Sequence, residues 1–277
     1  MRPTILTIAG SDSSGGAGIQ ADLKAIEANG GYGATVLAAI TAQNTRGVIR
    51  AETVSPSMLG AQLDAVFDDL EVAAVKTGML ATTEIITAVA EGLRRHRPPR
   101  YVCDPVMISK SGFALLAADS IEALKKELLP LATLVTPNRH EAEALTGIEV
   151  STLRQAEEAG RRILDLGPQA VLVKGGHLTE SPATDVFVSA DETRLFHGEF
   201  IHSPHTHGTG CTYSAAIATH LGRGLALGDA IALSKEFLTE AIRGGLPVGQ
   251  GNGPTDPFFF LRGPEAAARW LKRLLSH

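Results

Sequence analysis

The sequence predicts an α/β fold with a mainly parallel central sheet that is covered by helices on both faces. Three observations support this prediction. Short apolar runs alternate with amphipathic stretches along most of the chain, as expected for strands buried in a parallel sheet. Polar residues and glycines gather directly after the apolar runs. The alternation breaks once, where two runs follow each other as a small predicted β-hairpin.

The individual elements follow from this periodicity. The apolar runs predict strands over residues 4–9, 34–41, 73–77, 101–104, 133–136 and 170–174. The amphipathic stretches between them predict helices over residues 19–29, 57–70, 83–96, 120–129 and 153–166. The hairpin is expected at residues 184–189 and 193–202. Three last helices are expected at residues 211–223, 228–243 and 265–276.

The composition is that of an ordinary globular protein, with 277 residues, 44% hydrophobic and 20% charged. No linker, repeat or composition break divides the chain, so a single domain over residues 1–277 is expected. The net charge of −5 and the 5% of aromatic residues argue against nucleic-acid binding. No signal peptide and no membrane-spanning run is recognised, so a cytoplasmic protein is expected.

Glycine is the residue type in excess, with 29 residues where average usage predicts about 19. Many of these glycines follow predicted strands. In open α/β sheets, ligands bind beyond the carboxyl ends of the strands. The glycines and polar residues at these positions therefore predict an active site. The two cysteines, Cys103 and Cys211, are too few and too far apart to indicate a disulfide framework.

The first candidate motif is the loop GSDSSGGAG at residues 10–18, between the first strand and its helix. Glycine allows backbone to approach a ligand closely. Residues 16–21 also match the dinucleotide fingerprint, but the second strand ends in Gln43 and Asn44, where that fold needs an acid. No lysine follows the glycines, which excludes a Walker A loop. A merely flexible turn remains the structural alternative.

The second motif, THGTGCT at residues 206–212, precedes a predicted helix. Free N–H groups and the helix dipole make such a start an anion site. The backbone of Gly208, Thr209, Gly210 and Cys211 is thus a candidate for stabilising a transferring phosphoryl group. A thiol in the first turn of a helix is expected to have a lowered pKa, so Cys211 is a candidate proton acceptor. Equally, Cys211 could be a small buried residue that packs the helix start.

Charged residues mark three further strand ends. Asp104 and Glu141 follow neighbouring strands and are candidate ligands for Mg²⁺ beside a polyphosphate, although Glu141 also fits a first-turn helix acid. Lys174 ends a strand, where it is well placed to contact phosphate. Lys235 lies in a predicted helix and, by itself, is more typical of a solvated face. Three histidines at positions 202, 205 and 207 lack the partners of a zinc site and are interpreted as loop polarity.

Taken in order, these motifs resemble those of the hydroxymethylpyrimidine/phosphomethylpyrimidine kinases of thiamine biosynthesis, members of the ribokinase-like superfamily. Each motif is weak alone, but the ordered set extends over nearly the whole chain and is specific. The set consists of GSDSSGGAGIQAD at 10–22, TAQNT at 41–45, KTGML at 76–80, DPVM at 104–107, TPN at 136–138 with Glu141, and HTHGTGC at 205–211.

The resemblance implies two successive ATP-dependent phosphorylations, with Mg²⁺, of 4-amino-5-hydroxymethyl-2-methylpyrimidine. It implies that Gln43 binds the pyrimidine, whose aminopyrimidine edge an amide can match with one donor and one acceptor. It places Gly10, Asp22 and Met79 in the same pocket. It gives Cys211 the position at which most of the superfamily carries an Asp base. Lys174 and Lys235 would lie near the nucleotide, and a homodimer is implied.

Two segments and two alternatives stay open. Asn252 stands where the family pattern has His, which leaves the role of that C-terminal loop undecided. The segment at residues 109–112 is a candidate lid over the phosphates, with Lys110 as a speculative partner of a substrate phosphate. A pyridoxal or pyridoxine kinase of the same superfamily is the nearest alternative. A non-catalytic pyrimidine-binding protein is another alternative, and it would be expected to lose the acid or the anion site.

Overall fold

The centre of the fold is one β-sheet, seen in a computed structural model that describes residues 2–108, 112, 115–117, 119–176 and 181–276. Its strands are β1 (Thr4–Gly10), β2 (Tyr32–Asn44), β3 (Gly47–Thr53), β4 (Val72–Thr77), β5 (Tyr101–Cys103), β6 (Leu134–Val135), β7 (Ala170–Val173), β8 (Thr184–Ser189) and β9 (Thr193–His197). They are ordered β3-β2-β1-β4-β5-β6-β7-β8-β9.

The middle of this sheet is parallel and its two edges are antiparallel. Strand β1 pairs in parallel with β2 and β4, and the parallel pairing continues through β5 and β6 to β7. The pairs β2–β3, β7–β8 and β8–β9 are antiparallel. The mainly parallel sheet is thus confirmed. The predicted hairpin exists as β8 and β9, and it continues the main sheet at the β7 edge.

The helices are α1 (Gly18–Ala28), α2 (Pro56–Phe67), α3 (Thr83–His96), α4 (Ser120–Ala123), α5 (Arg139–Thr146), α6 (Leu153–Leu164), α7 (Thr209–Gly222), α8 (Leu227–Arg243) and α9 (Pro264–Leu275). The helix expected over residues 120–129 is broken. After α4 the chain widens into a π-helical segment, Leu124–Leu128, and then tightens into a 3₁₀ turn, Leu129–Leu131. Pro130 in that turn has no N–H to donate, which ends the regular helix.

Two hydrophobic layers cover the two faces of the sheet, as predicted. Leu6 and Ile8 of β1 point into the layer formed with α2, α3, α5 and α6, whereas Ile5 points into the layer formed with α1, α7, α8 and α9. All three side chains are fully buried. Within the part of the chain that the structure describes, no helix has both the length and the apolar character needed to cross a bilayer.

The same topology gathers the loops that carry the candidate residues. Because β1, β2, β4, β5, β6 and β7 run in one direction, their carboxyl ends share one edge of the sheet. The loop after β1, the ends of β2 and β4, Asp104 after β5, Asn138 after β6 and Lys174 after β7 therefore lie along this edge. The start of α7 meets them there, since Gly208 approaches the loop after β1.

Candidate functional site

The start of α7 is the candidate anion site, here called the anion site and defined as the backbone of residues 208–211. Gly208 is the N-cap, with a φ of 77°, and a Cβ at this position would lie 1.8 Å from the carbonyl oxygen of Gly16. Only glycine fits that position. The N–H groups of Gly210 and Cys211 lie in the first turn, where a helix offers them no internal acceptor. They and the positive helix end are available to an anion.

A charged cluster, Asp104, Glu141 and Lys174, lies beside the anion site. The Lys174 ammonium is 2.8 Å from Asp104 Oδ1 and 3.8 Å from Glu141 Oε2. Ser214 of α7 donates a hydrogen bond to Asp104 Oδ2 at 3.1 Å. A Cβ on Gly210 would be 3.6 Å from Lys174 Nζ and 3.7 Å from Asp104 Oδ2. The cluster and the helix start thus form one polar surface.

The charges of this cluster depend on one another. Burial opposes ionisation of Asp104, but Lys174 and then Lys76 outweigh it and lower the pKa of Asp104. Burial raises the pKa of Glu141 to about 7, despite the opposing charge of Lys174. Burial disfavours the Lys174 ammonium, yet the two carboxylates raise the pKa of Lys174. The cluster therefore contains one ion pair that stays charged, Asp104 with Lys174, and one carboxyl group, Glu141, that titrates near neutrality.

Glu141 has two roles at once. It is the third residue of α5, and its Oε2 accepts a hydrogen bond from the N–H of Asn138 at 2.7 Å, which completes a capping box with the Asn138 side chain. The structural interpretation of Glu141 as a first-turn helix acid is therefore confirmed. The same side chain also faces Lys174. The capping box fixes where its carboxylate stands relative to the cluster.

Cys211 is partly accessible at the start of α7, but burial works against ionisation of its thiol. Burial raises the pKa of the thiol to about 12. The nearby Lys76 ammonium and a hydrogen bond from the N–H of Gly18 act in the opposite direction and do not outweigh burial. The expectation that the helix start lowers this pKa is therefore wrong, because the cost of burying a thiolate exceeds the local dipole effect.

A buried ion pair, Lys76 with Asp22, lies near enough to Cys211 to influence the ionisation of its thiol. Lys76 of β4 and Asp22 of α1 are both fully buried, and the ammonium lies 2.9 and 2.8 Å from the two carboxylate oxygens. Thr7 donates a further hydrogen bond to Asp22 at 2.6 Å. Burial disfavours the Lys76 ammonium, but Asp22 outweighs it and raises the pKa of Lys76. Asp22 is thus fully buried, and both of its oxygens are engaged by Lys76 and Thr7.

The Gln43 region, defined as Gly10, Gln43 and Met79, lies at the ends of β1, β2 and β4. The N–H of Gly10 donates to the carbonyl of Met79 at 3.1 Å, and a Cβ on Gly10 would be 3.0 Å from the Met79 sulfur. The backbone of Gln43 is held by Ser13, whose hydroxyl accepts from the N–H at 2.8 Å and donates to the carbonyl at 2.7 Å. The structure thus holds the Gln43 backbone in place beside the loop after β1.

The loop after β1 is ordered by Asp12, a residue of the first motif to which the sequence analysis gave no role of its own. Its carboxylate accepts hydrogen bonds from the N–H groups of Ser14, Gly16 and Ala17 at 2.8, 3.2 and 2.8 Å. Burial opposes this charge, but the hydrogen bonds from His207 and Ser14 lower the pKa of Asp12 to about 2. The loop is therefore not a merely flexible turn. An acid followed by serines and glycines, which together can supply several N–H donors, was the available signal.

A second buried cluster holds the turn after β7. Lys235 of α8 is 2.7 Å from Asp185 Oδ2, and Tyr213 donates to the same oxygen at 2.8 Å. The N–H of Gly175 donates to Asp185 Oδ1 at 2.9 Å. Lys235 is buried, so the expectation of a solvated helix face is wrong. Asp185 and Tyr213 were missed, because no sequence spacing links the hairpin to α7 and α8.

Three remaining sequence expectations are placed as follows. Lys110 and its segment at residues 109–111 lie outside the described residues. Among the residues that are described, no group of three or more His, Cys, Asp or Glu forms a metal cluster. The loop that contains Asn252 packs on Thr45, whose carbonyl accepts from the N–H of Asn252 at 2.9 Å.

Comparison with known proteins finds a matching family model and similar relatives. A family model described as phosphomethylpyrimidine kinase matches residues 12–256. The chain is 51% identical over 265 residues to the hydroxymethylpyrimidine/phosphomethylpyrimidine kinase of Rhizobium meliloti, covering 93% of this chain and 98% of that protein. It is 49% identical over 255 residues to the thiamine biosynthesis bifunctional protein ThiED of Geobacter sulfurreducens, covering 92% of this chain. The chain spans only 52% of that bifunctional relative.

A solved structure supports the fold. The chain superimposes on the crystal structure of an ADP complex of Bacillus subtilis pyridoxal kinase with a TM-score of 0.88 and 38% sequence identity. The match covers 95% of this chain and 100% of that one. A pyridoxal kinase and this chain therefore share the same architecture, so the fold alone does not distinguish their substrates.

Proposed function

Because the chain belongs to the phosphomethylpyrimidine kinase family, we propose that it uses ATP to phosphorylate 4-amino-5-hydroxymethyl-2-methylpyrimidine in thiamine biosynthesis. The first transfer forms the monophosphate and the second forms the diphosphate. The observation that supports the proposal most is the anion site at α7 beside the charged cluster. Phosphoryl transfer requires mainly positioning and charge stabilisation, and this surface offers both.

The Gln43 region is proposed to bind the pyrimidine. A primary amide offers one donor and one acceptor in a plane, which matches the ring nitrogen and amino group of an aminopyrimidine edge. The Gln43 backbone is held by Ser13, so the amide extends from a fixed point. Met79 is polarisable and lies against Gly10, which suits contact with the face of an aromatic ring.

The anion site and the lysines are proposed to hold the phosphates of ATP. The N–H groups of Gly210 and Cys211 would receive the charge on the transferring phosphoryl group. Lys174 is 14% exposed at its side chain, so its ammonium can contact both the cluster and a phosphate oxygen. Lys235 is proposed to act near the nucleotide through Asp185, which fixes the turn at Gly175.

Asp104 and Glu141 are proposed to hold Mg²⁺ with the phosphates of ATP. Their carboxylate oxygens are the donors that this hard cation prefers, and magnesium usually takes only one or two protein carboxylates. Both groups already contact Lys174, which fits an ion held jointly by the cluster and the nucleotide rather than by a protein cage. Bound there, the ion would neutralise charge on the phosphates.

Cys211 is proposed to accept the proton of the substrate hydroxyl. Its thiol lies in the first turn of α7, next to the anion site. With a pKa of about 12, the reactive thiolate is scarce at neutral pH, so the proposal makes the rate of transfer depend on pH. In a loose transition state the hydroxyl proton is released late, which limits the demand on the base. The thiolate takes the proton and becomes a thiol.

A pyridoxal kinase is the second candidate, and the likeness to the Bacillus subtilis enzyme favours keeping it. Kinetics with the two alcohols side by side separate the candidates. We expect kcat/KM for the hydroxymethylpyrimidine to exceed that for pyridoxal. The opposite order would reject the pyrimidine assignment and leave the kinase assignment intact.

The assembly and location of the protein are also proposals. We propose a homodimer, as the resemblance to the family implies, and a cytoplasmic location. The β2–β3 edge of the sheet exposes two large apolar side chains, Ile40 at 57% and Ile49 at 74%, which is consistent with burial against a second copy. Light scattering coupled to gel filtration is expected to give twice the mass of one chain, and a monomer mass would reject the dimer.

A further inference from the structure

His207 joins three loops at the edge of the candidate site. It directly precedes Gly208, the N-cap of α7. Its own backbone is held by the C-terminal loop, because its N–H donates to the carbonyl of Gly253 at 3.0 Å and its carbonyl accepts from the N–H of Thr255 at 3.2 Å. The side chain is 12% exposed. A residue that was interpreted from sequence as loop polarity is thus fixed in place.

The imidazole of His207 reaches the opposite side of the site. Its Nε2 lies 2.8 Å from Asp12 Oδ2 and 3.4 Å from the amide nitrogen of Gln43. The Asp12 carboxylate can only accept at this contact, since its pKa is about 2, so Nε2 carries the hydrogen and donates it. The ring is therefore anchored by its hydrogen bond to Asp12. The Gln43 amide nitrogen, itself a donor, lies against the Nε2 edge of the ring as a packing contact and not as a hydrogen bond.

Two glycines make this close approach possible. A Cβ on Gly16 would lie 2.5 Å from Cδ2 of the His207 ring. A Cβ on Gly208 would lie 1.8 Å from the Gly16 carbonyl oxygen. The ring and the helix start therefore pack directly on the backbone of the loop after β1. Such contacts leave little freedom for the start of α7 to shift relative to Gln43.

We propose that His207 is a positioning residue that fixes the distance between Gln43 and the anion site at α7. This inference rests on the proposed function, since it concerns the alcohol that Gln43 binds and the phosphoryl group that the anion site stabilises. The backbone of His207 leads directly into Gly208 and its ring lies against Gln43, so His207 would keep the bound hydroxyl within reach of the phosphoryl group. Displacements of about 1 Å in such geometry cost about 100-fold in rate.

The test compares His207→Leu, which removes the donor, with His207→Gln, whose amide N–H can still donate to Asp12. In His207→Leu, Asp12 keeps its hydrogen bonds from Ser14, Gly16 and Ala17, so we expect the loop to fold. The rate of transfer to the hydroxymethylpyrimidine is measured per nucleotide-binding site, counted by calorimetry with ADP. Loss of folded protein then does not register as loss of activity.

We expect His207→Leu to lower kcat about 10- to 100-fold, as for loss of a hydrogen bond to a charged group, with the Kd for ADP within about twofold of wild type. His207→Gln should recover to within about fivefold of wild type. His202→Leu is the matched control: His202 lies in the same loop and packs on Phe200, and we expect it to leave kcat unchanged. In His207→Asn the side chain keeps an amide but is too short to reach Asp12, so the kcat of this variant should be as low as that of His207→Leu.

Three results would overturn the role of His207: a kcat for His207→Leu within twofold of wild type, equal losses in Leu and Gln, or a parallel loss of ADP binding. If His207→Leu does not fold, the comparison of Gln with Asn decides, and equal rates in those two overturn the role. The wild-type rate of transfer to the hydroxymethylpyrimidine tests the proposed function. The ratio of each variant's kcat to the wild-type kcat tests the role of His207 alone.

Discussion

Replacing Cys211 tests which group takes the proton from the substrate hydroxyl. Burial raises the pKa of this thiol to about 12, so at pH 7 about one thiol in 100,000 is ionised. A positioned general base contributes about 100- to 10,000-fold to the rate of a proton-transfer step. Because little thiolate is present at pH 7 and a loose transition state demands little of the base, we expect Cys211→Ala to lower the rate of phosphoryl transfer by about 100-fold, the low end of that range.

The dependence on pH gives the sharper result. Only the thiolate accepts a proton, and its fraction rises tenfold for each pH unit below the pKa. The wild-type rate should thus rise about tenfold per unit between pH 8 and pH 10, a range above the pKa of about 7 of Glu141. In Cys211→Asp the new carboxylate is already ionised in this range, so its rate should not change with pH.

Rapid-quench single-turnover kinetics measure the transfer step without product release. Cys103→Ala is the control for loss of a thiol. It removes a buried core thiol, so it should lower stability and keep the wild-type slope with pH. A wild-type transfer rate that is flat between pH 8 and pH 10, or near wild-type transfer in Cys211→Ala, would refute the assignment of the base.

Three further substitutions have defined outcomes. Gly208→Ala should abolish phosphoryl transfer, because the new Cβ would lie 1.8 Å from a carbonyl oxygen. Gly224→Ala is the control, since Gly224 also has a positive φ but has open space around it. It should lower the free energy of unfolding, measured in urea, by only about 1 kcal/mol. Lys174→Met should lower the free energy of unfolding by about 3 kcal/mol, because it leaves a buried carboxylate unpaired, and it should weaken ADP binding in calorimetry. Lys125→Met is the control: Lys125 pairs with the exposed Glu122, so neither the free energy of unfolding nor ADP binding should change. Gln43→Leu should raise the KM for the pyrimidine about 10- to 100-fold and leave the KM for ATP unchanged; an unchanged pyrimidine KM contradicts its role.

The sequence predicted the sheet and the edge of it along which the candidate site residues gather. The strands are recognisable because their apolar runs are buried on both faces, and α3 begins and ends at the predicted residues, Thr83 and His96. Strand β3 was missed because it is an edge strand with exposed and charged residues. Helix α5 was anticipated only through Glu141 as a first-turn helix acid, and its bounds were not predicted because eight residues are too few to display a helical period.

The interactions across the site could not be predicted. Asp12 and His207 are 195 positions apart, and nothing in their local sequences indicates that they meet. The pKa of Cys211 was predicted in the wrong direction, because the sequence shows the helix start but not the depth of burial. Residue identities therefore locate a site, whereas burial and long-range contacts determine its charges.

The most direct test of the account is the set of products formed from the hydroxymethylpyrimidine with ATP and Mg²⁺. Mass spectrometry of the reaction over time should detect first the monophosphate and then the diphosphate, with one ADP formed for each phosphoryl group transferred. Absence of both products, in protein that binds ADP and is folded, would contradict the account. A second reaction contains pyridoxal in place of the hydroxymethylpyrimidine. If only that reaction gives a phosphorylated product, the site would be assigned to pyridoxal.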